Sequence, residues 1–140
     1  IDSPRKAAEV LRHTGADALM IGRAAQGRPW IFREIAHYLT TGEDLRAPDL
    51  IEVKSWLLDH LEDHYSLYGE YTGVRSARKH LGWYAQALPL APGEALRFRQ
   101  RINAITSAQA QLACVRESLE GWALSNSPRD QQQEHWELAA

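Results

Sequence analysis

The sequence predicts a chain of mixed architecture: a strand-and-helix piece of an α/β barrel, followed by an all-α domain of four helices. Three observations carry this expectation. Residues 1–42 read as helix, buried strand, loop and helix, the local grammar of an α/β barrel. Beyond Gly42 apolar residues recur at spacings of three and four, with no alternating or continuous strand pattern. Turn residues break that helical stretch into four segments short enough to stack as a bundle.

The elements follow in order. A first helix is expected over about 4–13, with Ser3 as N-cap, Pro4 at the first helical position and Gly15 as its left-handed close. The run Ala16 to Ile21, ending at Gly22, has the look of a buried parallel strand, with Ala18–Ile21 its apolar part. A second helix covers about 29–39 and is closed by Gly42. One strand cannot make a sheet, so the rest of any barrel is absent from this chain. Residues 43–48 read as a linker. Helices then follow over about 49–68, stopped by Gly69, over 72–88 before the Pro89–Gly93 turn, over 94–104, and over 107–122 with Ser107 as N-cap. The expected division is 1–42, 43–124 and a polar, Gln-rich tail over 125–140 with the composition of disorder. An unpaired strand in residues 1–42 also leaves self-association through its edge open.

Composition narrows the class. The hydrophobic fraction of 44% and the charged fraction of 24% suit a globular protein, and no apolar run approaches the roughly 20 residues of a membrane span. The first residues lack a secretory h-region, and one cysteine permits no internal disulfide; both fit a cytoplasmic location. The chain begins without methionine and reads as a piece of a longer protein. The net charge of -2 conceals an uneven distribution. Residues 43–70 carry two Lys/Arg against eight Asp/Glu, whereas residues 71–101 carry six against Glu94 alone, a balance of +5. That basic block is where a polyanion would bind.

Two constellations could carry chemistry. Gly22 and Arg23 close the apolar run; a glycine there lets backbone N–H groups approach a phosphate, and Arg23 adds charge. Loops after the last strands of (β/α)₈ barrels commonly form such sites. The plainer alternative is a tight turn with Arg23 in solvent. The second constellation is the helix around 73–84. At about 100° per residue, Val74, Ala77, Leu81, Ala85 and Leu88 form a core stripe. Arg75, Arg78, Lys79 and Gly82 fall on another face, with Trp83 at its edge. Acid-free cations beside an aromatic suit a phosphate backbone and a stacked base, and Gly82 leaves room for another backbone to come close. The alternative is a solvated face neutralised by Asp59, Glu62 and Asp63.

Other residues point to packing. Cys114 lies mid-helix without a partner, and Trp30, Trp56 and Trp122 suit cores or interdomain contacts. His60 and His64, four apart, lack an HExxH pattern, so no metal is expected.

The run GADALMIGRAAQGRPWIF (Gly15 to Phe32) together with RSARKHLGWY (Arg75 to Tyr84) resembles the tRNA-dihydrouridine synthases of the B-type branch, over about residues 1–122. The resemblance implies an FMN-binding (β/α)₈ barrel followed by a helical tRNA-binding domain. It implies an enzyme in which NADPH reduces FMN and the flavin reduces a D-loop uridine of tRNA, a cysteine serving as general acid. It makes Gly22 and Arg23 the last contacts to the FMN phosphate and places the basic helix in the tRNA-binding domain, where Arg75, Arg78, Lys79 and Trp83 are the candidate RNA contacts. The family's catalytic cysteine would lie upstream of this chain, so no catalytic residue is assigned here; Cys114 is in the wrong domain. This piece alone is then expected to be inactive. A non-catalytic helical RNA-binding module with a vestigial barrel strand is the alternative, and another FMN barrel with an unrelated helical extension is a third reading.

Overall fold

The structure is a computed structural model that describes residues 1–125. Of the expected disordered tail only Ser125, the last residue of a helix, is described; the rest lies outside the described residues. Among the described residues five helices make up the regular structure apart from one short 3₁₀ turn: α1 (Pro4–Thr14), α2 (Ile31–Thr41), α3 (Leu50–Ala87), α4 (Glu94–Ala104) and α5 (Ala108–Ser125).

Local chemistry explains their ends. Ser3 Oγ accepts from Lys6 N, Pro4 opens α1, and Gly15 at φ 66° closes it by donating to Leu11 O at 2.9 Å. Gly42 at φ 77° closes α2 on Tyr38 O in the same way. Asp49 starts α3 with a capping box: its carboxylate accepts from Ile51 N and Glu52 N, and the Glu52 carboxylate accepts from Asp49 N at 2.9 Å. Ser107 Oγ and the Glu70 carboxylate accept from Ala110 N and Ala108 N, so two side chains cap α5.

α3 is a hairpin. Gly69, at φ 73° and ψ 167°, leaves helical geometry and separates a first limb (50–68) from a second (70–87). The limbs run antiparallel, pairing His64 with Ser76 and His60 with Tyr84. Just past the bend Gly73 lets them close up, since a Cβ there would stand 3.1 Å from the Tyr65 ring. Gln111 of α5 locks the arrangement: it accepts from Tyr65 OH at 2.6 Å and donates to Val74 O at 3.1 Å, and it is fully buried. Val53, Leu57, Leu61, Ala77, Leu81, Phe98, Ile102, Val115 and Leu119 fill the core of this bundle, and Cys114 packs among them. A second, smaller cluster joins Ala7 of α1 to Ile31 and Ile35 of α2.

The expected strand Ala18–Ile21 is not there. Among the described residues there is no strand at all, and residues 18–22 run as irregular backbone. A strand exists through its ladder to a neighbour, and no neighbouring strand is present among the described residues. Leu19 and Ile21 instead rest against the Ala7/Ile31/Ile35 cluster, while Met20 is 92% exposed.

One close contact seats this N-terminal piece on the bundle. Gly27, at φ 74°, lies so near the second limb of α3 that a Cβ would stand 2.3 Å from the carbonyl carbon and oxygen of Trp83 and 2.7 Å from Tyr84 N. Trp30 follows it into the bundle core, tilted against Trp56 and Tyr84 at 6.1 and 6.2 Å. Substituting Gly27→Ala combines the left-handed backbone penalty with overpacking and should lower stability by about 2–5 kcal/mol. Gly42→Ala, at φ 77° with open space around its Cβ, should lower it by only about 1–2 kcal/mol. Urea unfolding followed by circular dichroism separates the two; equal losses would mean that the loop stands off α3.

Candidate nucleic-acid interface

The second limb of α3 presents the basic face. Val74, Ala77, Leu81 and Ala85 are buried against the bundle, which turns Arg75 and Lys79 outward. Arg75 lies over the Tyr71 ring at 3.6 Å from its centroid and donates to Tyr71 O at 3.0 Å. Lys79 Nζ stands 4.8 Å from the centroid of the Trp83 indole. Arg78 is different. It is half-buried, its Nη2 donates to Ile105 O at 2.8 Å, and its Nε is buried without an acceptor, so it ties α3 to the turn between α4 and α5.

Gly82 also departs from expectation. It does leave its face bare, but Arg99 of α4 occupies the space: its Nε and Cδ would lie 3.7 and 3.8 Å from a Cβ at Gly82. Arg78, Lys79, Trp83, Arg99 and Asn103 thus wall a groove of about 280 Å³. Arg99 is the member that helix-by-helix reading of the sequence missed, because a wheel places residues on one helix and Arg99 arrives from another. The signal was its place in the basic block. Among the described residues none of Arg75, Arg78, Lys79 and Arg99 forms an ion pair, while Asp59, Glu62 and Asp63 stand exposed and unengaged with them. Neutralisation by the acidic limb therefore does not occur through direct pairing. A row of exposed cations without counter-ions is matched chemically by a phosphate chain.

Behind Trp83 lies a cluster that the sequence hinted at only through His60 and His64. His80 completes it from the other limb, 5.4 Å from His60 and 5.3 Å from His64 between ring centroids, with its edge against Trp83 at 5.2 Å. His64 Nε2 is 2.7 Å from Ser76 Oγ, which also lies 2.8 Å from the carbonyl of Thr72. Burial, then the neighbouring His60, lowers the pKa of His64. Burial foremost, with His60, His64 and Lys79 adding repulsion, lowers that of His80. Burial pushes the Tyr84 phenol, 3.3 Å from His60 Nδ1, up to about 12. Among the described residues no group of three or more His, Cys, Asp or Glu is placed to hold a metal ion.

The same histidines face the N-terminal piece. A crevice of about 340 Å³ runs between the 22–29 segment and α3, with Gly22 and Gln26 on one wall and His60, His80 and Trp83 on the other. At its rim Gly22 precedes the 3₁₀ turn Arg23–Ala25. Gly22 and Arg23 are exposed, a Cβ at Gly22 would touch nothing within 4 Å, and the N–H groups of Arg23 and Ala24 make no hydrogen bond among the described residues. Two open N–H groups beside an unpaired guanidinium suit one side of a phosphate. A larger cavity of about 570 Å³ lies between Trp30, Trp56 and Tyr84, but its one charged wall residue, Arg33, is already over the Trp56 ring and 3.6 Å from Glu52. It is a packing seam.

The lowered histidine pKa values make a stability prediction. In the unfolded chain His64 and His80 take up protons near their ordinary 6.5; in the folded chain they do so only at lower pH. Below about 6.5 the unfolded state therefore binds more protons, and stability present above that value is lost as pH falls. Melting temperatures should drop between about pH 7.5 and pH 5.5, and the drop should shrink in the His64→Gln/His80→Gln variant. An identical slope in the double variant would assign the acid sensitivity to other groups.

Comparison with known proteins agrees with the resemblance noted above. The Dihydrouridine synthase (Dus) family model matches residues 1–123. The chain is 57% identical over 117 residues to tRNA-dihydrouridine synthase B of Xanthomonas axonopodis pv. citri, covering 84% of this chain and 34% of that protein. It is likewise 57% identical over 117 residues to tRNA-dihydrouridine synthase B of Pseudomonas aeruginosa, with the same coverage. With the protein of that name from Pseudomonas putida it shares 59% over 116 residues, 83% of this chain and 33% of the relative. The chain thus spans about a third of the length of these relatives. No helix among the described residues is long and apolar enough to cross a membrane. On a family match covering nearly all of the described residues, the chain belongs to the dihydrouridine synthase family, in the branch of relatives named tRNA-dihydrouridine synthase B.

Proposed function

We propose that this chain is the C-terminal part of a flavin-dependent tRNA-dihydrouridine synthase of the cytoplasm, with residues 1–42 ending the FMN-binding barrel and residues 43–124 gripping tRNA. The observation that supports it most is the unpaired basic face of α3, where Arg75 lies on Tyr71 and Lys79 on Trp83, joined by Arg99 of α4, with no carboxylate partner for any of the three. Phosphates of the tRNA backbone would sit along Arg75, Lys79 and Arg99, and a base or ribose would meet the Trp83 indole. Arg78 contributes charge from behind while holding the α4–α5 turn.

The Gly22–Arg23 turn would receive one side of the FMN phosphate through its two free N–H groups and the Arg23 guanidinium. When bound and reduced by NADPH, FMN supplies the hydride that turns a D-loop uridine into 5,6-dihydrouridine. In this reading the chain's residues fix the phosphate end and the RNA; the resemblance puts the general acid in a barrel upstream of this chain, and Cys114, buried in the bundle core, does not take that role. The exposed Met20, Phe32 and Leu39 would pack against that barrel. In the isolated chain they remain a surface for self-association, in place of the strand edge expected from the sequence.

Two measurements test this reading. Incubated with FMN, the 140-residue chain should not retain a stoichiometric yellow complex after gel filtration, because half a phosphate site lacks the contacts to the ring. A stable complex would show that the chain carries a complete flavin site. The RNA half is tested by Arg75→Gln/Lys79→Gln, which removes exposed cations and leaves the core stripe intact. Filter binding to unmodified tRNA should weaken, and the slope of log affinity against log salt should fall by about 1.4 to 1.8 for two lost contacts. Unchanged affinity and slope in a folded variant would place the RNA surface elsewhere and favour a non-binding role for this face.

A further inference from the structure

The apex of the α3 hairpin carries three large apolar side chains in solvent. Leu67, Tyr68 and Tyr71 are 75%, 52% and 72% exposed, grouped within five residues around the Gly69 bend. Scattered exposed hydrophobics need no explanation, but this group is contiguous, and it adjoins the basic face. On the second limb Tyr71, Arg75, Arg78 and Gly82 fall within a narrow stripe at the helical period, and Lys79 and Trp83 continue it around the helix. Along the axis the stripe extends about 18 Å from Tyr71 to Trp83.

The Tyr71 ring is held rather than free. The Arg75 guanidinium covers one face at 3.6 Å from the centroid, and a hydrogen bond from the same guanidinium to Tyr71 O fixes that geometry. With one face under Arg75 and most of the side chain in solvent, the opposite face is open. The nearest acid, Glu70, is turned the other way, capping α5 through Ala108 N at 2.8 Å. A positively charged partner on one face, an open π surface on the other and no competing carboxylate form a platform for a nucleobase whose phosphates run toward Lys79 and Arg99.

We propose that Tyr71, stacked on Arg75 at the hairpin apex, is a base-stacking site that receives an unpaired nucleobase of single-stranded RNA, with the backbone following the stripe to Trp83. The site rests on the reading of the basic face as an RNA surface and extends it by about one helical turn, from Arg75 to Tyr71. Every base has a π face, so the contact gives affinity without strong base preference. The phenol hydroxyl is not required; the ring is.

The test uses the 140-residue chain and two probes: an unstructured RNA of about ten nucleotides and a ribose-phosphate strand of the same length without bases. Wild type should prefer the base-bearing strand. Tyr71→Ala should weaken binding to that strand by about five- to 150-fold, leave the abasic strand unchanged and keep the salt slope. Tyr71→Phe, which keeps the ring, should bind as wild type does, and the exposed position keeps both variants folded by circular dichroism. Equal weakening on both strands would overturn the proposal, because Tyr71 would then act only by orienting Arg75. An intact affinity in Tyr71→Ala, with Arg75→Gln/Lys79→Gln still weakened, would also overturn it, leaving the RNA face in place and the apex to a protein contact. Failure of the Arg75/Lys79 variant to change anything would remove the underlying reading as well.

Discussion

The close approach of Gly27 to the backbone of Trp83 is the constraint from which the arrangement of the candidate site follows. Backbone meets backbone there, with no side chain able to intervene, and Trp30 three residues later anchors the same segment in the bundle core. The distance between the Gly22–Arg23 turn and α3 is therefore set by covalent geometry over a handful of residues, not by flexible side chains. Because the contact falls at Trp83 itself, the turn that would hold a phosphate and the aromatic that closes the basic face are placed on two walls of one crevice. A flavin phosphate and a bound RNA strand would both refer to this one fixed contact.

Charge is distributed along α3 so that its cations divide between structure and recognition. Arg78 donates inward to Ile105 O and accepts the cost of a buried, unsatisfied Nε, so its charge is engaged in holding the α4–α5 turn. Arg75 and Lys79 instead rest on Tyr71 and Trp83, aromatic faces that orient a cation without discharging it. Had carboxylates played that part, as Glu120 does for Lys54, the field toward a polyanion would be cancelled locally. Asp59, Glu62 and Asp63 of the first limb stay exposed and unpaired with those cations, so the two limbs keep opposite signs within one hairpin. Gly82 serves the same division: by having no side chain it admits Arg99 from α4 and adds a cation from a second helix to the groove.

Much of this was legible in the sequence because it is local. Ser3, Asp49, Ser107, Gly15, Gly42 and Gly69 sit where capping and left-handed backbone demand them, and the helices start and stop within a few residues of the expected places. The core stripe of the second limb was legible for the same reason, since periodicity is written along one segment. The strand at 18–21 was not, because a strand needs a ladder to a neighbour, none exists among the described residues, and irregular backbone is what remains. Gly27 was invisible for a related reason. Nothing in the run Gln26-Gly27-Arg28 says which distant backbone will press on it, and the expectation of close approach fell on Gly82 instead. His80 joins His60 and His64 only once the hairpin is folded, across sixteen to twenty residues of sequence.

The hairpin bend has consequences beyond reversing the chain. Gly69 needs its φ of 73° but has nothing within 4 Å of where a Cβ would be, so the bend is a backbone event that leaves its outer side empty. Side chains beside such a bend either fold back on the limbs or project. Tyr65 folds back to Gln111 with its phenol pushed up to about 12 by burial, Tyr68 lies against the His64 ring at 4.7 Å, and Leu67 and Tyr71 project. The choice for Tyr71 is made by Arg75 one turn later, which covers the ring from the helix side and bonds to the same residue's carbonyl. An arginine spent on holding an aromatic in solvent gains little stability for the isolated chain, since exposed cation–π pairs contribute only about 0.5–1 kcal/mol. The same pair becomes stronger as a ligand removes water from it. The geometry at the apex is therefore arranged to tighten when something flat and negatively flanked is laid upon it.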